Sequence, residues 1–162
     1  MTSVGAKVFH TSPAELTGRL ADYLLERDLK TIQTWDSIPF LDPGSLEKRG
    51  ISCRAEFSPA VKAGLTGVLA GLADTGSLLL AGAPGQPLSP SLLPEIHIAV
   101  LSAEQILPTL PDALRLPQVT DAPASVIITG PSRTADIEMT LTIGVHGPCE
   151  LIVFLVDGSA GR

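Results

Sequence analysis

Residues Ala6–Trp35 read AKVFHTSPAELTGRLADYLLERDLKTIQTW. A short apolar run comes first. Ser12 and Pro13 then give the signals of a helix start, a capping hydroxyl followed by proline at the first helical position. Leucines recur at helical spacing to about Arg27, and the β-branched segment Thr31–Trp35 follows. This pattern predicts a strand, a helix and a second strand.

The same alternation continues along the chain. Asp42 and Pro43 start a short helix that ends before Gly50, and Ile51–Phe57 is a third predicted strand. Four later apolar runs are also predicted strands: Ser77–Ala81, Ile96–Leu101, Ser125–Thr129 and Leu151–Val156. Because strands alternate with helices, we predict an α/β fold with a mostly parallel sheet.

The composition of the 162 residues agrees with this fold class. The chain is long enough for one domain, 1–162, with a sizeable core. It is 44% hydrophobic but only 4% aromatic, so the core must come from Leu, Ile, Val and Ala, which suit buried parallel strands. The net charge of −6 and the lack of a basic cluster argue against nucleic acid as a partner.

The chain has few features of secreted, membrane or metal-binding proteins. No apolar run reaches the roughly 20 residues of a membrane span, and the N-terminus lacks a signal-peptide pattern, so we expect a cytoplasmic protein. Cys53 and Cys149 are far apart and fit no zinc or iron–sulfur spacing. We expect two free thiols and no metal site.

Two segments are less regular. Ser58–Leu72 contains three glycines, each of which would weaken a helix by about 1 kcal/mol. We predict a short helix there, an extended piece near Leu65 and Thr66, and a further helical turn. Gly82–Pro90 is rich in proline and glycine and predicts a surface loop. Ser102, with glutamine three residues later, predicts a capping box.

The segment Ile128–Pro148 reads ITGPSRTADIEMTLTIGVHGP and is ambiguous. Apolar and polar residues alternate from Ile137 to Ile143, which is the period of a strand. Alternatively, Ser132 or Thr134 caps a helix that has acidic residues in its first turn. We predict a helix over 134–143, because neighbouring strands that pair in parallel need a crossover.

An anion site is one interpretation of the start of this segment. Gly130 allows close backbone approach, Ser132 and Thr134 supply hydroxyls, and the guanidinium of Arg133 can bind a carboxylate or phosphate. A predicted helix start after a strand adds backbone N–H groups. Between Lys62 and Arg162 the only cations are Arg115 and Arg133. The alternative is a helix cap beside a solvated arginine.

The turn Ala73–Ser77 contains the sequence Asp-Thr-Gly-Ser. In aspartic proteases such a loop brings two carboxylates together, and two copies of this chain would be needed for that arrangement. The α/β pattern instead favours an ordinary Asp-x-Gly turn before a strand.

Two of the three histidines have a predicted environment. His146 lies between glycines and is either structural or an acid–base group beside Asp136 or Glu138. His97 is on a predicted strand, where its side chain should point away from the face of its apolar neighbours. Asp74, Asp136, Glu138 and His146 together offer metal ligands only as a weaker alternative.

Four segments taken together resemble the LUD domain family, and within it the lactate utilization C branch. The segments are Gly64–Leu80, Ser91–Leu101, Ile128–Glu138 and Gly144–Leu155. GPSRTADIE followed closely by GVHGP is the most specific part of the match. Members of the family usually have an additional N-terminal helical segment, which we expect this chain to lack.

The resemblance implies a three-layer α/β domain of the NagB/RpiA/CoA transferase-like superfamily. It also implies a role in oxidising L-lactate to pyruvate beside two sister proteins that carry iron–sulfur clusters, with no cofactor bound by this chain. The candidate catalytic residues are Asp74, Asp136, Glu138 and His146, and the candidate ligand-binding residues are Thr75, Gly76, Gly130, Ser132, Arg133 and Thr134. A free-standing enzyme for a sugar phosphate or CoA ester, and a non-catalytic scaffold, are the alternatives.

Overall fold

A computed structural model of the chain describes residues 5–135, 141–143 and 147–158. Its strands are β1 (Lys7–Thr11), β2 (Thr31–Thr34), β3 (Ser52–Arg54), β4 (Ala63–Gly67), β5 (Ala70–Leu72), β6 (Ser77–Ala81), β7 (Ile96–Ser102), β8 (Ile106–Leu107), β9 (Ser125–Ile128), β10 (Arg133–Ala135), β11 (Leu141–Ile143) and β12 (Glu150–Val156). Its helices are α1 (Pro13–Glu26), α2 (Pro43–Glu47), α3 (Ser89–Leu92), α4 (Leu110–Leu114) and α5 (Pro117–Asp121), with a 3-10 helix at Ala103–Gln105.

Six of these strands form one sheet in the order β1-β12-β7-β4-β2-β3, and every pair in it is parallel. The central strands β4 and β7 are buried along their whole length. Apolar runs without alternation are typical of parallel strands that are covered on both faces. The predicted α/β fold with a mostly parallel sheet is therefore confirmed.

Helix α1 covers one face of this sheet. It buries Leu16, Leu20, Ala21 and Leu24, which recur at helical spacing. Each buried leucine stabilises the fold by about 2 kcal/mol. The helix contacts β1 and β12. The ring centroids of Tyr23 and Phe154 lie 6.2 Å apart in a T-shaped arrangement.

Helix α3 covers the opposite face. Val100 of β7 pairs with Phe154 on the face that α1 covers. Successive side chains of a strand point to opposite faces, so His97, three residues before Val100, lies on the other face. Gly64 pairs with His97, and its Cα faces the backbone of Pro90 in α3. The sheet thus has α1 and α2 on one side and α3 on the other.

A second, four-stranded sheet has the order β8-β5-β6-β9. Leu78 and Leu80 of β6 belong to the main core that the parallel sheet forms. Leu79 points the other way and packs in a smaller cluster with Ala70, Leu72 and Ala113. Strand β6 therefore joins the two cores of the chain.

The helical interpretation of Ser58–Leu72 is wrong, because this region forms β4 and β5. Its glycines are needed for close packing. A Cβ at Gly67 would lie 3.1 Å from Pro39 and 3.2 Å from the ring of Trp35. Gly64 lies even closer to α3. These glycines allow neighbouring elements to approach the strand, which is a common use of glycine.

The predicted helix over 134–143 is also wrong for the part of it that the structure describes. Strands β10 and β11 pair antiparallel, with Arg133 opposite Ile143 and Ala135 opposite Leu141. The alternation of apolar and polar residues was the better guide. Residues 136–140 lie outside the described residues.

Strand β9 does not belong to the parallel sheet. It pairs antiparallel with β6, so Leu78 lies opposite Ile128 and Ala81 opposite Ser125. The crossover argument for a helix after β9 therefore does not apply.

The described helices include none with both the length and the apolar character that crossing a membrane requires.

Candidate functional site

A cavity of about 500 Å³ opens at the carboxyl ends of β2 and β4. Trp35 follows β2 and Gly67 ends β4, and both line it. The other lining residues are Pro39, Val68, Leu69, Ala81, Gly82, Ala83, Pro84, Gln86, Gln105, Gln118, Asp121, Ala122 and Pro123. The volume is within the usual range of small-molecule sites.

The topology of the sheet places the cavity at a functionally favoured point. The chain leaves β2 through α2 towards β3. It leaves β4 in the other direction along the sheet, through β5, β6 and α3 towards β7. The two connections diverge between neighbouring strands. In open α/β sheets, ligands bind in the crevice that forms at such a switch point, outside the carboxyl ends of the strands.

One wall is the loop between β6 and α3, which hydrogen bonds fix in place. The indole Nε1 of Trp35 donates to the Pro87 carbonyl oxygen at 2.7 Å. The backbone N–H of Asp36 donates to the Gly85 carbonyl oxygen at 3.0 Å. Gly85 has φ +73, and a Cβ there would lie 2.6 Å from Asp36 Oδ2. Glycine is therefore required for this loop to close against the end of β2.

A second wall depends on Gln105. The predicted capping box is confirmed: Gln105 Oε1 accepts from the Ser102 N–H at 2.9 Å, and the Ser102 hydroxyl accepts from the Glu104 N–H at 3.3 Å. Gln105 Nε2 donates to the Val68 carbonyl oxygen at 2.7 Å. This single side chain links the end of β7, at Ser102, to Val68, which follows β4 and lines the cavity.

A separate polar feature lies inside the core, on the α3 side of the sheet. His97 is completely buried, and its Nε2 lies 2.9 Å from the Thr66 hydroxyl. Its Nδ1 has no partner among the described residues, and neither does the buried Oε1 of Gln33 two strands away. Burial lowers the pKa of His97 to about 3, so its imidazole is neutral at ordinary pH. The predicted direction of this side chain is confirmed.

The predicted site residues Asp74, Thr75 and Gly76 form the turn between β5 and β6. Asp74 Oδ1 accepts from the Thr75 N–H at 2.7 Å, and Gly76 has φ +68. This geometry is the ordinary Asp-x-Gly turn that the sequence offered as one interpretation. Asp74 and Thr75 are exposed.

Hydroxyl groups connect this turn to the segment after β9. Ser77 Oγ donates to Thr75 Oγ1 at 2.8 Å and lies 2.7 Å from Thr129 Oγ1. Gly130 follows directly, with φ +85. The structure therefore brings two of the sequence-predicted segments together, the turn at 74–76 and the start of the segment at 130.

The remaining predicted residues are described in part. The Ser132 N–H donates to the Pro148 carbonyl oxygen at 2.8 Å. Arg133 and Thr134 belong to β10, of which the backbone pairing is described. Asp136, Glu138 and His146 lie outside the described residues.

The predicted residues and the cavity lie at opposite ends of the β6–β9 ladder. Ile128 pairs with Leu78 near the turn, whereas Ser125 pairs with Ala81 at the cavity. The two ends are three residue steps apart along the strand, a distance of roughly 10 Å. Of the sequence-predicted site residues that the structure describes, none lines the cavity.

The described part of the chain contains no group of three or more His, Cys, Asp or Glu side chains with metal-site geometry. Cys53 and Cys149 are both free. Burial, with a smaller effect from Glu47, raises the pKa of the Cys53 thiol to about 11. That thiol is therefore protonated at neutral pH and a poor nucleophile.

Comparison with known proteins decides the family. The sequence model of the LUD domain matches residues 1–156. The chain belongs to the LUD domain family. The fold of this LUD domain is similar to the crystal structure of a DUF162 family protein from Deinococcus radiodurans, with a TM-score of 0.69 and 25% identity, over 96% of this chain and 90% of that chain.

Two curated relatives are similar in sequence to this LUD domain. An uncharacterized protein of Neisseria meningitidis serogroup B is 31% identical over 72% of this chain and 51% of its own length. Lactate utilization protein C of Macrococcus caseolyticus is 30% identical over 86% of this chain and 58% of its own length. The chain thus spans about half the length of the curated relatives it matches.

The cavity of this LUD domain has the volume and the mostly apolar lining that are typical of small-molecule sites. Its walls are mostly apolar, and the polar groups in them are the amides of Gln86, Gln105 and Gln118 and the carboxylate of Asp121. Sequence reasoning missed these residues. The available signals were the tryptophan at the end of a strand, the predicted loop at 82–90, and the capping box of Gln105.

Proposed function

We propose that this LUD domain is an accessory or regulatory subunit of an L-lactate oxidation system that converts lactate to pyruvate. The observation that carries the proposal is its similarity to lactate utilization protein C, at 30% identity over 86% of this chain in one relative and 36% over 63% in another. The match of the LUD domain to residues 1–156 supports it.

In this proposal, electrons pass through iron–sulfur clusters on partner proteins. Each cluster is held by several cysteine thiolates, whereas this chain has two cysteines in all. One of them, Cys53, has a thiol pKa raised by burial. The proposal therefore places the clusters on the sister proteins and gives this domain a binding role.

The segment around Arg133 is proposed to bind a small anion or a partner protein. Arg133 is one of only two cations between Lys62 and Arg162, and the hydroxyl chain from Thr75 to Thr129 places polar groups just before it. The other cation, Arg115, pairs with Asp112 at 3.2 Å and serves as the matched control.

A gene deletion tests the role. We expect the deletion strain to lose growth on L-lactate but not on glucose, and the intact gene to restore growth. The Arg133→Ala variant should restore growth poorly, whereas Arg115→Ala should restore it fully. Unchanged growth of the deletion strain on L-lactate would reject the proposal.

Affinity purification from lactate-grown cells tests the partners. The tagged chain should bring down proteins that contain iron and oxidise L-lactate. Recovery of the chain alone, without iron, would contradict a complex.

Because the cavity has no described cationic lining residue, a free-standing enzyme for a sugar phosphate or CoA ester is the weaker alternative. A thermal shift with either compound, lost in Arg133→Ala, would favour it.

A further inference from the structure

The described lining residues of the cavity carry a negative charge and no positive charge. Among its described lining residues there is one carboxylate, Asp121, and there is no Lys, Arg or His. Asp121 makes no salt bridge within the described residues. An anionic ligand would therefore meet a like charge and no counter-charge in these walls.

The uncharged polar side chains among the lining residues include three glutamine amides, those of Gln86, Gln105 and Gln118. Gln86 and Gln118 make no side-chain hydrogen bond to another described residue. Each amide offers two N–H donors and one carbonyl acceptor. Gln105 keeps one further N–H after donating to Val68. Because an amide both donates and accepts hydrogen bonds, it can bind the carbonyl group of an uncharged molecule, or the N–H and carbonyl groups of a carboxamide.

The remaining walls are apolar and stiff. Trp35, whose ring orientation is fixed by its bond to Pro87, lines the cavity with Pro39, Pro84 and Pro123. Val68 and Leu69 add aliphatic surface. Such stiff, flat surfaces favour a flat apolar body such as a ring, because burying apolar area stabilises binding.

We propose that this cavity binds an uncharged organic molecule that has an apolar ring body and a carboxamide or carbonyl group, and that it rejects carboxylates of the same shape. An ionised carboxylate would lose hydration among apolar walls without gaining a cation. It would also be repelled by Asp121. Lactate and pyruvate are carboxylates, so the ligand of the cavity is a different molecule. This inference stands whether or not the lactate proposal holds.

A pair of probes with nearly identical shapes tests the charge preference. Naphthalene-2-carboxamide is uncharged, and naphthalene-2-carboxylate carries one negative charge at pH 7. The indole N–H resonance of Trp35 reports binding, because Trp35 is the single tryptophan of the chain and lines the cavity. We expect the carboxamide to bind at least about tenfold more tightly than the carboxylate, the factor that corresponds to 1.4 kcal/mol.

Two matched variants locate the source of the preference. Asp121→Asn removes the cavity charge and should narrow the ratio of the two dissociation constants by about twofold, because the screened repulsion from this exposed carboxylate is lost while the cost of desolvating the probe remains. Asp22→Asn makes the same change on the exposed surface of α1 and should leave the ratio unchanged. An equal effect of the two variants would overturn the assignment to Asp121.

A blocking variant locates the probe. Ala122→Phe places a large ring in the cavity at a residue with extended backbone angles, φ −72 and ψ 140, keeps Trp35 as the single indole reporter, and should abolish carboxamide binding. If that variant does not fold, the double variant Gln86→Ala and Gln118→Ala should weaken binding by about tenfold or more. The proposal is overturned if the carboxylate binds as tightly as the carboxamide, if neither probe binds up to its solubility limit, or if binding survives in the folded blocking variant.

Discussion

A Cβ atom on Gly64 would lie only 1.8 Å from the carbonyl oxygen of Pro90. Gly64 is in the centre of the parallel sheet, between Gln33 and His97 on the neighbouring strands. The first turn of α3 therefore rests directly on the backbone of β4. Helix α3 can take this position only because residue 64 has no side chain.

Gly64→Ala should destabilise the fold by about 3 kcal/mol or more, because a backbone carbonyl cannot move aside as a flexible side chain can. Gly18→Ala is the matched control. Gly18 lies within α1, and its added methyl group would meet nothing closer than 3.8 Å. Alanine should stabilise that helix by about 0.5–1 kcal/mol. Urea unfolding of the two variants should thus give changes of opposite sign.

The buried His97 should make the protein sensitive to acid. Its pKa is about 3 in the folded state and about 6.5 in an unfolded chain, so between these values the unfolded state binds the extra proton. The contribution of His97 to the free energy of unfolding is fully present above about pH 6.5. It is lost as the pH falls towards 3, by up to about 1.4 kcal/mol per pH unit.

His97→Gln separates this effect from other acid-sensitive groups. Glutamine can keep a hydrogen bond to Thr66 without titrating, so the variant should have a flatter pH dependence of its unfolding free energy between pH 6.5 and 3. His10→Gln makes the same change at an exposed position. Identical slopes in the wild type and His97→Gln would show that His97 is not the source.

Glu150 connects the first and last strands of the parallel sheet to α1. It accepts from Arg27 at 3.0 Å and from Lys7 at 3.0 Å. The hydrogen bond from Arg27, and then the one from Lys7, hold the pKa of Glu150 below its usual value against the effect of partial burial. This stabilisation is present above the ordinary carboxyl pKa and is lost as the pH falls through the lowered one.

Glu150→Gln should therefore cost about 0.5–1 kcal/mol at neutral pH, since partly exposed ion pairs contribute little. The loss should shrink in high salt, which screens surface charges. Thermal unfolding at low and high ionic strength measures it. Asp28→Asn, which removes the fully exposed pair with Lys30, is the control and should have a smaller effect. A larger effect for Asp28→Asn would contradict the role given to Glu150.

The hydroxyl contact between Ser77 and Thr129 should couple the turn at 74–76 to the segment that leads to Arg133. Ser77 is buried, and its Oγ lies 2.7 Å from Thr129 Oγ1. Ser77→Ala should cost about 1 kcal/mol. In a double-mutant cycle with Thr129→Val, the two changes should be non-additive by about 0.5 kcal/mol or more. Additive losses would mean that the two hydroxyls do not interact in solution.

Local periodicity predicted the first three elements of the fold well. The strand, helix and strand of Ala6–Trp35 appear as β1, α1 and β2, within about two residues at each end. Their signals act over a few residues: a proline at the first helical position, leucines on one face, and β-branched residues. No distant contact is needed to read them.

The wrong predictions concern residues whose conformation depends on contacts with parts of the chain that are distant in sequence. Gly64 reads as a helix breaker until α3 is known to lie on it. Strand β9 reads as a further parallel strand, whereas its partner is β6, almost 50 residues earlier, and the pair is antiparallel. Composition gives no direct signal for either arrangement.

The cavity could not be predicted from the sequence, because its lining residues are also distant from one another in the chain. Trp35, Gln86, Gln105 and Asp121 come from four separate connections, and the ends of the strands bring them together. Each residue has an ordinary local interpretation, as a strand end, a loop, a cap or the end of a short helix. The sequence-predicted site was instead drawn from compact motifs, which are easy to recognise in a chain.

The pairing of β1 with β12 has a consequence for synthesis in the cell. Lys7 lies opposite Ile152, about 145 positions later in the chain. At about 5–20 residues per second, the ribosome needs on the order of 10 s or more to make that partner strand. During this time the apolar sides of β1 and α1 have no permanent cover. Folding of the parallel sheet must therefore finish after translation of the last strand. Until then the nascent chain exposes apolar segments of the kind that chaperones bind.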